Sequence, residues 1–186
     1  MKKINIKLFI VCLTLIIGVT EAYTQDKKES RKAKKEAEKY MLTANFYAQD
    51  TILNLREFVL EADYLQGRRG QLVSVSKNIN FVKVLHGKGT LQTGSNTAIG
   101  FNALGGVTTE GNISNYKVTG NPKSLTHRVT FDLISSLGVY NIVINVMANN
   151  TANATITSTN SMFLTWKGEL VALFNTNVFK GQDTYR

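Results

Sequence analysis

Residues 139–147, VYNIVINVM, set the architecture. Tyr140, Ile142, Ile144 and Val146 fall at alternate positions and Asn141 and Asn145 lie between them, a period of two that a strand buries on one face and leaves polar on the other. A helix would scatter the same side chains around its circumference. One buried face and one wet face describe an antiparallel sheet packed on a single side.

On either side the chain keeps repeating this unit. Further strands are expected at 112–119, 126–134, 152–158 and 162–167, joined at Asn121-Pro122-Lys123, Leu137-Gly138, Asn149-Asn150 and Asn160-Ser161. Pro122, the sole proline, falls in a turn, where it costs no ladder hydrogen bond. Upstream, 57–65 ends at the turn Gln66-Gly67-Arg68-Arg69-Gly70, 71–76 follows, and 81–85 turns through His86-Gly87-Lys88-Gly89 into 90–93. Connections this short make neighbours antiparallel, since a parallel crossover needs about a dozen residues or more.

Residues 94–110, with Gly94, Gly100, Gly105 and Gly106, form the longest expected loop. Loops above about 12 residues in a compact domain are commonly functional or poorly ordered. Phe101, Asn102, Thr108 and Glu110 are its candidate binding residues, with Phe101 the best candidate for an exposed contact.

Before the strands, 25–65 contains no proline or glycine, and Ala33, Ala37, Tyr40, Met41, Ala44, Tyr47 and Ala48 recur at helical spacing. A helix is expected over 29–54, with a break near Asp50 as the alternative. Its start lies in 26–39, DKKESRKAKKEAEK, where Lys27, Lys28, Arg31, Lys32, Lys34 and Lys35 make a basic arm interleaved with acids. Two readings stay open: a solvated helix start, or a contact with an anionic surface.

Ahead of the arm, residues 1–22, MKKINIKLFIVCLTLIIGVTEA, read as a cleavable export signal: a basic start, an apolar run over 8–19, and small Thr20 and Ala22 before the cut. The run is short of the ~20 residues a spanning helix needs. A mature chain from Tyr23 is expected, in the periplasm or secreted. Cys12, the only cysteine, lies mid-run with apolar residues still ahead of it, which argues against a lipoprotein anchor. The mature chain then holds no thiol, which excludes disulfides and thiolate catalysis. For an exported chain the anionic partners are phospholipid, lipopolysaccharide or peptidoglycan, and nucleic acid is not expected.

The strand text resembles the DUF4251 family, exported domains of unknown function from Bacteroides-type bacteria. The likeness rests on REFVLEADYL (56–65), GRRG (67–70), INFVKVLHGKGTLQTGSN (79–96), GGVTTEGNISNYKV (105–118), ANATITSTNSMFLTWKGEL (152–170) and VFKGQ (178–182). The central loop departs from the commoner family pattern. The resemblance implies an exported β domain and brings no activity with it.

No catalytic signature stands out. His86 and His127 are far apart, each expected at a turn or strand end, and a metal needs three or four convergent ligands. His127 and Asp132 differ by five along one strand, so they face opposite sides and make no dyad. Glu57, Glu61, Asp63 and Glu169 are the acids from which a carboxylate pair could be drawn. No phosphate loop or GxSxG is present. Asp50-Thr51-Ile52 matches a short O-glycosylation acceptor pattern at Thr51. Phe81, Phe163 and Trp166 are expected in the core.

The expected fold class is α+β and β-dominated: an N-terminal helix (23–55) packed on an antiparallel meander of about eight strands (56–186), curled into a sandwich or a partly open, lipocalin-like barrel. The expected function is an exported envelope protein acting as a non-catalytic module that binds a small ligand or envelope component, with no cofactor and no metal. The alternatives are an envelope hydrolase using Glu and His groups, or a peripheral contact with membrane or peptidoglycan through the basic arm.

Overall fold

The computed structural model describes residues 6–94, 106–159 and 163–180, with side chains from residue 29 onward. Helix α1 (Ile6–Leu55) leads into nine strands: β1 (Glu57–Gly67), β2 (Leu72–Ser74), β3 (Phe81–Leu85), β4 (Lys88–Thr93), β5 (Val107–Asn121), β6 (Thr126–Ser135), β7 (Gly138–Met147), β8 (Thr151–Ser158) and β9 (Phe163–Ala172). A short 3-10 turn, Leu173–Asn175, follows. The chain divides into two compact units, Met1–Met41 and Leu42–Arg186. The first is helix, and its side chains from 29 to 41 are all exposed.

In the second unit every strand pairing is antiparallel, and the strands run β1-β3-β4-β5-β6-β7-β8-β9 and back to β1. The result is a closed eight-stranded barrel, with β2 as an extra strand on the far end of β1. The fold is α+β and β-dominated as expected, and of the expected forms it takes the barrel, which is closed because β9 runs on to Ala172, beyond the expected end at 167, and so supplies a partner along β1 from Phe58 to Gly67. A barrel leaves no pair of open edges. β1 bulges between Ala62 and Tyr64, opposite Gly168. A Cβ on Gly168 would lie 1.9 Å from the Glu61 carbonyl oxygen, so only glycine fits that approach.

The interior is apolar. Phe58, Leu60, Phe131, Tyr140, Ile142 and Trp166 are among its fully buried side chains, and the alternation of 140, 142, 144 and 146 points inward as expected. Trp166 and Leu164 join this core, whereas Phe163 is 40% exposed on the opposite face of β9, contrary to expectation. Its neighbour Met162 lies outside the described residues.

The helix runs unbroken through Asp50 to Leu55, so the alternative of a break there falls away, and one expectation about it is corrected. Its packed face is Phe46, Gln49 and Leu53, spaced i, i+3, i+7, while Tyr40, Met41 and Tyr47 of the expected stripe are exposed. The helix ends where Arg56 takes a left-handed φ of 60°. Tyr116 on β5 donates its hydroxyl to the Leu53 carbonyl at 2.6 Å, satisfying one of the orphan acceptors of the last turn. The Arg56 guanidinium lies 4.6 Å from the centre of the same ring.

Candidate functional site

The expected loop at 94–110 is shorter than the sequence suggests, because β5 begins at Val107. Phe101 and Asn102 lie outside the described residues. Thr108 and Glu110 are strand residues, not loop residues. Thr108 is buried and donates to Gln92 Oε1 at 3.1 Å. Glu110 accepts from Thr90 and pairs with Lys180 at 2.6 Å, and the Lys180 hydrogen bond, opposed by partial burial, holds its carboxyl below the usual range. These two residues are therefore part of a fastening.

What they fasten is the chain after β9. Residues 173–180 cross the outer face of β1, β3 and β4 as a strap. Thr176 donates to Glu61 Oε1 at 2.5 Å, the Phe179 amide donates to the Asn78 carbonyl, and the Phe179 carbonyl accepts from Gln92 Nε2, both at 2.8 Å. Beneath it the outward side chains Val59, Glu61, Phe81, Thr90 and Gln92 are buried. Phe81 is thus buried as expected, but outside the barrel. Asn80 is also fully buried, accepting from Thr93 and the Gly94 amide and donating to the Ser76 carbonyl.

The two histidines separate. His86 sits in the β3–β4 turn as expected, exposed, with Nε2 2.5 Å from Glu57. His127 lies at the start of β6, the strand end expected, but it is not a surface residue: its side chain is fully buried and stacked 4.2 Å from the Phe46 ring. Its Nε2 is 3.3 Å from Asp50 Oδ1, and Nδ1 has no partner. The Asp50 carboxylate can only accept, so Nε2 carries the hydrogen. Burial pushes the His127 pKa down, against an opposing pull from Asp50. It lines a groove of about 310 Å³ with Thr119, Asn121, Thr126, Arg128 and Met147. Asp132 faces outward and accepts from Asn115 and Asn141, which hold its carboxyl low. His127 and Asp132 form no dyad, as their spacing implies.

Among the acids, the register pairs Glu61 with Glu169 directly across β1 and β9. Their surroundings differ. Glu61 is buried under the strap, with Lys77 3.9 Å away, whereas Glu169 is exposed and lines a second groove. Among the described residues no cluster of three His, Cys, Asp or Glu is placed to hold a metal.

That second groove is a concavity that the sequence did not suggest. It has a volume of about 350 Å³ and lies between residues 45–52 of α1, the β7–β8 turn, β9 and the start of the strap. Its polar groups are Asn45, Gln49, Asn149, Asn150, Glu169 and Asn175, and Ala48, Ile52, Val171 and Ala172 supply the apolar wall. Phe174 also lines it, 84% exposed. The β7–β8 turn is rigidly tied: Asn150, at a φ of 68°, donates its amide to the Met147 carbonyl and accepts from the Leu170 amide, and Asn149 Oδ1 accepts from the Thr151 amide. Gln49 is 3% exposed, and its Nε2 donates to the Met147 carbonyl at 2.9 Å and to Asn150 Oδ1 at 2.8 Å. Both amide hydrogens are thereby used and the amide cannot flip. Oε1 is left buried with no donor, a cost of about 1–3 kcal/mol for such a group.

Of the remaining expected sites, Thr51 is exposed on α1, donating to the Tyr47 carbonyl at 3.2 Å. Arg31, Lys32, Lys34 and Lys35 are exposed on the same helix within the first unit, and Lys27 and Lys28 fall where side chains are not described.

The family model for DUF4251, a domain of unknown function, matches residues 40–170. The chain belongs to the DUF4251 family. The match takes in the buried end of α1 as well as the barrel, while Phe174, Asn175 and the rest of the strap lie past its end. A crystal structure of a DUF4251 family protein from Bacteroides eggerthii is 33% identical to this chain, with a TM-score of 0.64, and the likeness covers 76% of this chain and 96% of that one. No curated protein matches. The family thus supplies the domain and its boundaries but no chemistry, and a functional reading of this DUF4251 chain rests on its own grooves.

Proposed function

We propose that this DUF4251 chain is an exported envelope protein whose β domain is a non-catalytic binding or interaction module. The observation that carries this reading is the filled barrel: large side chains such as Trp166, Tyr140, Phe131 and Phe58 occupy the interior, and the described grooves lie at the rim and outside. A lipocalin-like carrier keeps its ligand space inside the barrel. Here the working surface is external.

Assay of the purified protein against ester and glycan substrates tests this, with no turnover expected. Turnover that disappears in Glu169→Gln or Glu61→Gln would overturn it in favour of a hydrolase, the second reading, which the cross-strand register of those two acids favours. Export is tested by sequencing the N-terminus of native material: a start at Tyr23 supports the leader read in residues 1–22, and a start at Met1 removes it. The exposed arm around Arg31, Lys32, Lys34 and Lys35 supports a peripheral anionic contact. Salt-sensitive binding to anionic vesicles, lost on deleting residues 26–39, is the expected outcome of that contact, and indifference to the deletion rejects it.

A further inference from the structure

Resting on the binding reading above, we infer that the groove between α1, the Asn149-Asn150 turn and β9 is a subsite for a neutral saccharide ring. Its volume of about 350 Å³ lies at the small end of ligand sites, which run from about 300 to 1,000 Å³. Its lining determines the chemistry.

Among the described residues no Lys, Arg or His lines the groove, and its one charged group is the Glu169 carboxylate, so an anion would meet a like charge with no cation to offset it. A single carboxylate is also too few ligands for a metal. A hydrocarbon would cover the exposed Glu169 carboxylate and the Asn45 and Asn175 amides without offering them a partner. What remains is an uncharged ligand that both donates and accepts hydrogen bonds.

Gln49 adds the independent observation. Its amide is locked by two donations that hold the asparagine turn against α1, and its carbonyl oxygen is buried with no donor, out of a ligand's direct reach but adding negative potential behind the groove wall. Glu169 is the exposed acceptor of the groove, and the exposed Asn45 and Asn175 amides can donate as well as accept. A ring bearing several hydroxyls matches this mixture. Phe174, exposed beside these groups, supplies the flat apolar surface on which the C–H face of a pyranose packs. The rigid asparagine turn means that little ordering cost remains to be met on binding.

The test is titration of the purified protein with glucose, galactose, mannose, N-acetylglucosamine and their β-linked disaccharides, with glucuronate as the charged control. Calorimetry and amide NMR shifts are the readouts. At least one neutral sugar is expected to bind in the millimolar range or tighter, shifting residues 45–49, 149–150 and 169–175, with glucuronate weaker than its neutral parent. Phe174→Ala and Asn175→Ala, both at exposed positions, are expected to weaken binding about tenfold (about 1.4 kcal/mol) with the thermal midpoint unchanged. Gln49→Met is expected to weaken it as well, but also touches the helix anchorage, so the exposed pair decides. Absence of shifts at these residues across the series overturns the inference, as does binding that survives Phe174→Ala. Release of reducing sugar from a disaccharide, lost in Glu169→Gln, would keep the saccharide site and overturn the non-catalytic reading, so the two failures are told apart.

Discussion

The two halves of the barrel bury their strands differently. In β6 and β7 the pattern is one-sided: His127, Val129, Phe131, Leu133 and then Tyr140, Ile142, Ile144, Val146 face the core, while Arg128, Asn141 and Asn145 stay exposed. In β1 and β4 the residues on both faces are buried, Phe58 and Leu60 inside but also Val59, Glu61, Thr90 and Gln92 outside. The second half needs only its own core. The first half carries a cover, the strap after β9, fastened by hydrogen bonds and an ion pair. Burial is thus one outcome with two causes, and mutations should distinguish them.

The largest effect is expected inside. Phe131→Ala removes a fully buried ring and should cost about 3–5 kcal/mol, read as a lowered denaturant midpoint; a loss below about 1 kcal/mol would mean the interior is not close-packed. Under the strap the loss should be smaller. Gln92→Ala removes the bonds to Phe179 and Thr108 and should cost about 1–3 kcal/mol while exposing residues 173–180 to protease before the barrel melts. Simultaneous loss of strap and barrel would make the cover part of the core.

His127 gives a pH signature of its own. Its folded pKa lies below the ordinary value of about 6.5, so the unfolded chain takes up the proton first. This contribution is complete above about pH 6.5 and is lost as pH falls toward the folded value, at up to about 1.4 kcal/mol per pH unit for one proton. Urea midpoints measured across this window should slope in the native protein and flatten in His127→Phe, which keeps the stack on Phe46. The lowered carboxyls of Glu110 and Asp132 act in the same direction but in the more acid range where carboxylates titrate, which separates the two causes. The smallest effect is expected for Lys180→Ala. Its pair with Glu110 is part-exposed on both sides, and a loss of about 0–1 kcal/mol that vanishes in high salt is expected in thermal melts.

The same contrast explains what the sequence made legible. β6 to β8 were readable within one residue, because a one-sided strand writes its burial as alternation, and β3, though buried on both faces, was bounded by Asn80 and the His86-Gly87 turn. The closure was not, since β9 continues through Gly168-Glu169-Leu170-Val171-Ala172, where a glycine at the bulge interrupts the pattern. The start of β5 was hidden by the glycines around it, and the strap by having no period at all. His127 looked like a surface histidine because nothing local signals that Phe46, far away in the chain, will stack on it. The Gln49 groove is assembled from four segments; the sequence marked the Asn149-Asn150 pair as a turn and Glu169 as a candidate acid, but nothing local brings them together.

One consequence of the ring closure concerns time. β1 is among the first β residues made and takes β9, the last strand, as its neighbour along nearly its whole length. Until β9 exists, that edge of β1 carries a row of unpaired backbone groups beside Phe58, Val59 and Leu60, an aggregation template in a nascent chain. The pairing is also highly non-local, which slows folding. A chain truncated before Phe163 would therefore be expected to self-associate, and a factor that shields β1 while the rest of the barrel is completed would raise the yield of folded protein.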